Sequence, residues 1–204
     1  MRYARIPDQT IRRLPLYLRA LFFVAEQGQS EVSSKDLAQY VGVHGWQVRK
    51  DFSFFGEFGR PGVGYRVSWL TEQIKTILRL DSEKKAVLVG AGNLGAAVLS
   101  FSGFQKYNLA IVAAFDADAE KIGQRVSGVE IMDIACLESV SELGATLAIV
   151  TVPGEVAQDV VGQLINVGIK GILNFTSCRL IVPDQVRVTN IDIGMDLASL
   201  PYYI

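Results

Sequence analysis

Apolar residues recur with a helical period over the first eighty positions and fall into short unbroken runs beyond position 85. Ile11, Leu14, Leu18, Leu21, Phe22 and Ala25 form one stripe of a helix over residues 10–27, with Gly28 as its stop. Arg12 and Arg19 lie seven apart and share another face. Pro15 falls inside the stripe and predicts either a kink there or a start at about that residue. Ser33 and Asp36 make a capping box ahead of Leu37, Ala38 and Val41, and Gly42 ends this short helix. A third helix is predicted over residues 44–55. Its period puts Val48, Phe52 and Phe55 on the buried face and Trp46, Arg49, Lys50 and Ser53 on the opposite one, with Gln47 at the flank. Residues 58–67 set three glycines and a proline between apolar positions and predict a β-hairpin. A helix over 69–80 and a linker over 81–84 follow.

The second pattern predicts strands at residues 86–89, 109–115, 129–132, 147–152, 171–175 and 188–193. Helices are predicted at 96–101, 134–143 and 155–167. Repeated βα units give an α/β, Rossmann-like, doubly wound parallel sheet. The helix, tight turn, helix and hairpin before it read as a winged helix-turn-helix. The predicted division is 1–80 (helix-turn-helix about 17–56, wing about 57–67), 81–193 and a tail, 194–204.

Gly90-Ala91-Gly92-Asn93-Leu94-Gly95 fills the G-x-G-x-x-G pattern directly after a predicted strand. Gly90 suits the tight turn, Gly92 a close approach of backbone to a pyrophosphate, and Gly95 the packing of helix on strand. Asp116 ends the next strand, where a carboxylate accepts hydrogen bonds from an adenosine ribose. Between Asp116 and Lys121 stands no Arg or Lys, so NAD(H) is expected rather than NADP(H). Thr151-Val152-Pro153 and Asn174-Phe175 fall at carboxyl ends of strands, where such sheets bind ligands.

Charge separates the two halves. Residues 1–79 carry 12 Lys and Arg against 7 Asp and Glu, and residues 80–204 carry 8 against 14, so a net of +5 precedes a net of −6. A basic module of this kind meets a polyanion. Trp46, Arg49, Lys50 and Ser53, with Gln47 beside them, are the side chains a recognition helix uses on base edges and phosphates. Arg60, on a narrow tip with Gly62, suits a minor groove. A dehydrogenase is the alternative reading. It requires a positioned acid or base and a substrate domain, whereas the one histidine, His44, precedes the third helix and the first eighty residues read as a winged helix. No catalytic residues are expected.

With 204 residues, half of them apolar, the chain has enough material for a substantial core. No apolar run approaches a membrane span and the first ten residues lack a signal peptide's apolar region, so a soluble cytoplasmic protein is expected. Cys136 and Cys178 show no metal or redox spacing and read as reduced packing residues.

The run from Gln47 to Gly56, continued by Phe58-Gly59 and Gly62-Val63-Gly64-Tyr65, resembles the signature of the Rex family of redox-sensing transcriptional repressors. The resemblance continues through Gly90–Gly95, Thr151-Val152-Pro153, the stretch Gly168 to Phe175, and Asn190-Ile191-Asp192, covering nearly the whole chain. It implies a homodimer that binds a palindromic DNA operator when NADH is low and is released by NADH, with NAD+ as the competing form. It also implies a C-terminal helix, about 195–204, exchanged between subunits, in which Pro201 departs from the usual pattern. Arg19 and Asp192 match positions whose ion pair forms between subunits and changes with the ligand. Ile193 matches an apolar position near the nicotinamide, and Phe101 one where relatives commonly carry tyrosine.

Overall fold

The computed structural model describes residues 6–59 and 63–204. Contacts within the chain divide it into two compact units, Met1–Ser82 and Glu83–Ile204. Arg60 and Gly62, expected at the wing tip, lie outside the described residues.

In the first unit α1 (Asp8–Glu26) buries Leu14, Tyr17, Leu18, Leu21 and Val24, while Ile11 and Ala25 of the expected stripe are exposed. The helix runs through Pro15 from a start seven residues earlier. Its first turn is held by Asp8, which accepts from Arg12 Nε at 2.7 Å, and by Thr10, whose hydroxyl donates to Asp51. Pro15 lies on the solvent side of the helix.

Strand β1 (Glu31–Val32) leads into α2 (Ser34–Val41), which is capped by Ser33 with the reciprocal Asp36 bond and ends on left-handed Gly42. The turn delivers α3 (Gly45–Ser53), two residues shorter at its end than the periodicity predicts. The expected hairpin includes residues 60–62, which lie outside the described residues. Strand β2 (Tyr65–Arg66) lies antiparallel to β1, and α4 (Val67–Ile77) starts directly after it. Phe52 of α3 packs edge-on to Tyr17 at 5.1 Å and Tyr65 at 5.3 Å, joining the helices to the small sheet.

The second unit is a seven-stranded sheet. Its strands are β3 (Lys84–Val89), β4 (Leu109–Asp116), β5 (Arg125–Val126), β6 (Val129–Asp133), β7 (Leu147–Val150), β8 (Gly171–Asn174) and β9 (Arg187–Asn190). Their order is β5-β6-β4-β3-β7-β8-β9, parallel except for β5, which runs antiparallel at the edge. Without that edge strand this is the 3-2-1-4-5-6 order of a dinucleotide-binding sheet, whose topological switch point falls between β3 and β7. Val87, Val89, Phe115, Val150, Val161 and Leu164 fill one core face, the last two from α7 (Gly154–Asn166).

The helix after the glycines, α5 (Asn93–Leu99), is followed by a 3-10 helix, Ser102–Tyr107. The predicted helix at 134–143 is 3-10 over Ile134–Ser139 before a last turn, α6 (Val140–Leu143). The tail forms α8 (Ile193–Ser199) and a 3-10 turn, Leu200–Tyr203, that carries Pro201 at its start. Cys136 is exposed rather than packed, and the half-buried Cys178 lies 3.1 Å from the Thr176 hydroxyl.

Candidate functional site

The switch point opens into a cleft of about 770 Å³, lined by Val89, Gly90 and Gly92 on one side, Thr151, Val152 and Pro153 on the other, and Asp116 and Lys121 at one end. The three glycines stand in different surroundings. Gly90 has φ +98°, and a side chain there would meet the Thr151 carbonyl at 2.8 Å. A Cβ on Gly95 would be driven into the Gly90 carbonyl. Gly92 has an ordinary backbone at φ −71°, and a Cβ there would meet nothing within 4 Å. The protein itself therefore does not require glycine at 92. The open space above it fits a phosphate group lying against the backbone.

The loop is fixed by its neighbours. Thr151 Oγ1 donates to the Gly90 carbonyl at 2.6 Å, and the Ala91 N–H donates to Asp116 Oδ2 at 2.7 Å. The other Asp116 oxygen accepts from the Asp118 N–H at 2.9 Å. Lys121, the first cation after Asp116 in the sequence, curls back to 3.4 Å from Asp116 and 3.2 Å from Asp118. Hydrogen bonds from the Glu120 N–H and from Lys121 hold the Asp118 carboxyl below its usual range. The Asp118 bond, in turn, holds the Lys121 ammonium above its own. Two carboxylates thus already neutralise this cation, and they would repel a 2′-phosphate placed beside it.

Not every expected residue reaches the cleft. Ala91 contributes its N–H to the loop, Gly95 is buried beneath it, and Asn93 and Leu94 point to solvent. Asn174 is completely buried. Its amide donates to Asn190 Oδ1 at 2.9 Å, and its carbonyl oxygen accepts from the Thr176 hydroxyl at 2.7 Å, so it ties β8 to β9 instead of lining the site. Ile193 opens α8 and is 65% exposed. Ile134 and Val156, which no motif announced, line the cleft as apolar walls.

In the first unit α3 presents Trp46, 54% exposed and stacked against His44, with Arg49, Lys50 and Ser53 also exposed. Arg49 Nη1 donates to Ser34 Oγ at the start of α2 at 2.8 Å, and the Ser53 hydroxyl donates back to the Lys50 carbonyl. Gln47 differs from expectation. It is half-buried and one N–H of its amide donates to Asp51 at 2.9 Å, so its side chain is tied to the inner face of α3.

Proteins named redox-sensing transcriptional repressor Rex match over this whole length. The one from Halalkalibacterium halodurans is 43% identical over 98% of this chain and 95% of its own, and the one from Carboxydothermus hydrogenoformans is 43% identical over 100% and 99%. The chain belongs to the Rex family. Rex relatives of known structure share the fold. RSP, a Rex-family repressor, in complex with β-NAD+ and operator DNA superposes with a TM-score of 0.90 at 32% identity, covering 98% of this chain and 93% of that one. RSP with β-NADH gives 0.88 at 31%, covering 98% and 94%. Residues 5–53 match the family model described as "Putative DNA-binding protein N-terminus", and residues 81–178 that described as "CoA binding domain".

Three positions that Rex resemblance singles out are distributed as follows. Arg19 is exposed on α1 beside Leu16, Phe23 and Tyr40. Asp192 caps α8, accepting from the Met195 N–H at 3.0 Å. Phe101 is exposed and packs edge-on against Phe104 at 5.2 Å. No described helix is long and apolar enough to cross a membrane.

Proposed function

We propose that this chain is a cytoplasmic repressor that binds a palindromic operator as a homodimer when NADH is low and leaves it when NADH rises. The observation that carries this reading is the union, in one chain, of an outward-facing α3 and a nucleotide cleft at a Rossmann switch point, in a sequence 43% identical to Rex repressors. Gly90, Gly92, Asp116 and Thr151 to Pro153 hold the cofactor. Trp46, Arg49, Lys50 and Ser53 meet DNA, with Arg60 and Gly62 at the wing. The proposed units are the winged helix up to residue 80, the nucleotide domain over 81–193 and the tail after it.

The cleft is built for binding rather than turnover. Its polar side chains, Asp116, Asp118, Lys121 and Thr151, are committed to each other and to the glycine loop, and the chain's one histidine, His44, stands just before α3 in the other unit. NADH and NAD+ share phosphates, riboses and adenine, so these groups bind both forms alike, and equal binding shifts no equilibrium. Discrimination falls to the nicotinamide ring, neutral when reduced and cationic when oxidised. Apolar walls such as Val152 and Pro153 favour the neutral form.

The tail supplies the dimer. Met195, Leu197, Leu200, Tyr203 and Ile204 are all exposed, an apolar face suited to exchange with a second subunit. Arg19, Asp192 and Phe101 are assigned to the coupling between ligand and subunit arrangement, and Ile193 to the nicotinamide side. A gel-shift on a palindromic duplex, with NADH and NAD+ titrated separately, tests the reading. Release at much lower NADH than NAD+ is expected, and release by both at the same concentration overturns it.

A further inference from the structure

Asp51 lies in the last turn of α3 and is completely buried. Its Oδ1 accepts from Thr10 Oγ1 at 2.9 Å, Arg13 Nη2 at 2.8 Å and Gln47 Nε2 at 2.9 Å. Its Oδ2 accepts from Arg13 Nε at 2.6 Å and the Tyr17 hydroxyl at 2.7 Å. An ionised carboxylate only accepts, at about four lone-pair sites, so these five bonds saturate it. Three of the donor residues, Thr10, Arg13 and Tyr17, recur along one face of α1. The fourth, Gln47, stands one turn before Asp51 on α3 itself.

The apolar contacts of Val48 and Phe52 also hold α3 to the unit, but hydrophobic contact is non-directional and tolerates sliding. Hydrogen bonds to a charged, buried acceptor are short and directional, so a small shift of the helix breaks several at once. A protein that reads base edges needs its recognition helix placed to within a fraction of an ångström, because a displaced side chain loses its base partner while a phosphate contact adapts.

We propose that Asp51 is a positioning residue for operator recognition, its carboxylate fixing the height and rotation of α3 on α1 through Thr10, Arg13 and Tyr17. The proposal rests on the repressor reading of α3. Asp51 touches no base. It acts through Trp46, Lys50 and Ser53, which the same helix presents outward. The expected loss is therefore of sequence selectivity and not of affinity for DNA in general.

The test uses the full chain and two duplexes, a palindromic operator selected from a random pool by the wild-type chain and a scrambled duplex of equal length. Asp51→Asn and Tyr17→Phe are compared with wild type at a temperature where fluorescence of Trp46 and Trp69 reports a folded first unit. Asp51→Asn is expected to lose about tenfold or more in operator affinity, with scrambled-duplex affinity within about twofold and NADH affinity unchanged. Tyr17→Phe, which keeps the ring and deletes one of the five bonds, is expected to lose less but in the same direction. If Asp51→Asn does not fold, Tyr17→Phe decides. A folded variant with the wild-type ratio of operator to scrambled affinity overturns the proposal, as does equal loss on both duplexes. A wild-type chain that selects no duplex defeats the repressor reading and this proposal with it, whereas variants matching a selective wild type defeat this proposal alone.

Discussion

Asp116 accepts a hydrogen bond from the Ala91 N–H at 2.7 Å, so the carboxylate ending β4 and the glycine loop after β3 form one assembly. Replacing Asp116 with alanine removes a loop support and, on the proposed reading, the acceptor for a ribose hydroxyl. Removing a hydrogen bond to a charged group costs about 1.5–3 kcal/mol, so affinities for NADH and NAD+ should both fall roughly ten- to a hundredfold. Both forms share the ribose, and their affinity ratio should stay at its wild-type value. Calorimetric titration of each form checks this. A ratio that changes places Asp116 in the discrimination itself.

Gly92 and Gly95 separate ligand space from packing. A Cβ at Gly92 enters open space from an allowed backbone, so Gly92→Val should cost no more than an unfavourable N-cap does, about 0.5–2 kcal/mol, while NADH binding is lost and operator binding persists. Gly95→Ala pushes a methyl group into the Gly90 carbonyl and should destabilise the second unit by about 1–3 kcal/mol. Thermal unfolding with NADH titration distinguishes them. A Gly92→Val chain that still responds to NADH removes the glycine loop from the site.

The parts legible in the sequence are those dictated by neighbours along the chain. The Ser33 and Asp36 capping box, the left-handed stop at Gly42, the glycine loop and the strand ending on Asp116 each follow from a few adjacent residues, and each is present. The parts that are not legible depend on partners far away. Nothing beside Asp51 in the sequence announces its donors Thr10, Arg13 and Tyr17, which stand 34–41 residues earlier. The antiparallel pairing of Tyr65–Arg66 with Glu31–Val32 joins two segments that no local pattern links. Asn174 stands at the carboxyl end of a strand, as a ligand-binding residue would, and only the nearness of Asn190 and Thr176 shows its bonds are spent internally.

Arg49 and Lys50 should differ from the cleft residues in what they disturb. Arg49→Ala and Lys50→Ala each remove an exposed cation from α3, in the first unit, and leave every residue of the nucleotide cleft unchanged, so operator binding weakens while NADH affinity does not. Deleting a cation that neutralises one phosphate lowers the slope of log K against log salt by about one. Arg49, tethered to Ser34 Oγ, is expected to show this phosphate signature on every duplex. Anisotropy titrations across a salt series measure it, and a parallel fall in NADH affinity would indicate misfolding instead.

The buried Asp51 makes the first unit acid-sensitive in a predictable direction. Burial alone would raise its carboxyl, but the bonds from Arg13, Tyr17, Thr10 and Gln47 together outweigh it and hold the group below its ordinary value of 3.8. Because the folded value is the lower one, the stabilisation is complete above pH 3.8 and drains away as pH falls from there toward the folded value. The loss is at most about 1.4 kcal/mol per pH unit across that interval. Removing one member of a buried pair costs about 3–5 kcal/mol, so Asp51→Asn should be less stable than wild type by roughly that amount at neutral pH. The difference should narrow only below about pH 4. Both tryptophans, Trp46 and Trp69, lie in this unit, so their fluorescence during urea unfolding reports on it separately from the sheet. A gap between the two proteins that is constant from pH 7 to pH 3 would show that the carboxylate's charge contributes nothing to holding α3 in place.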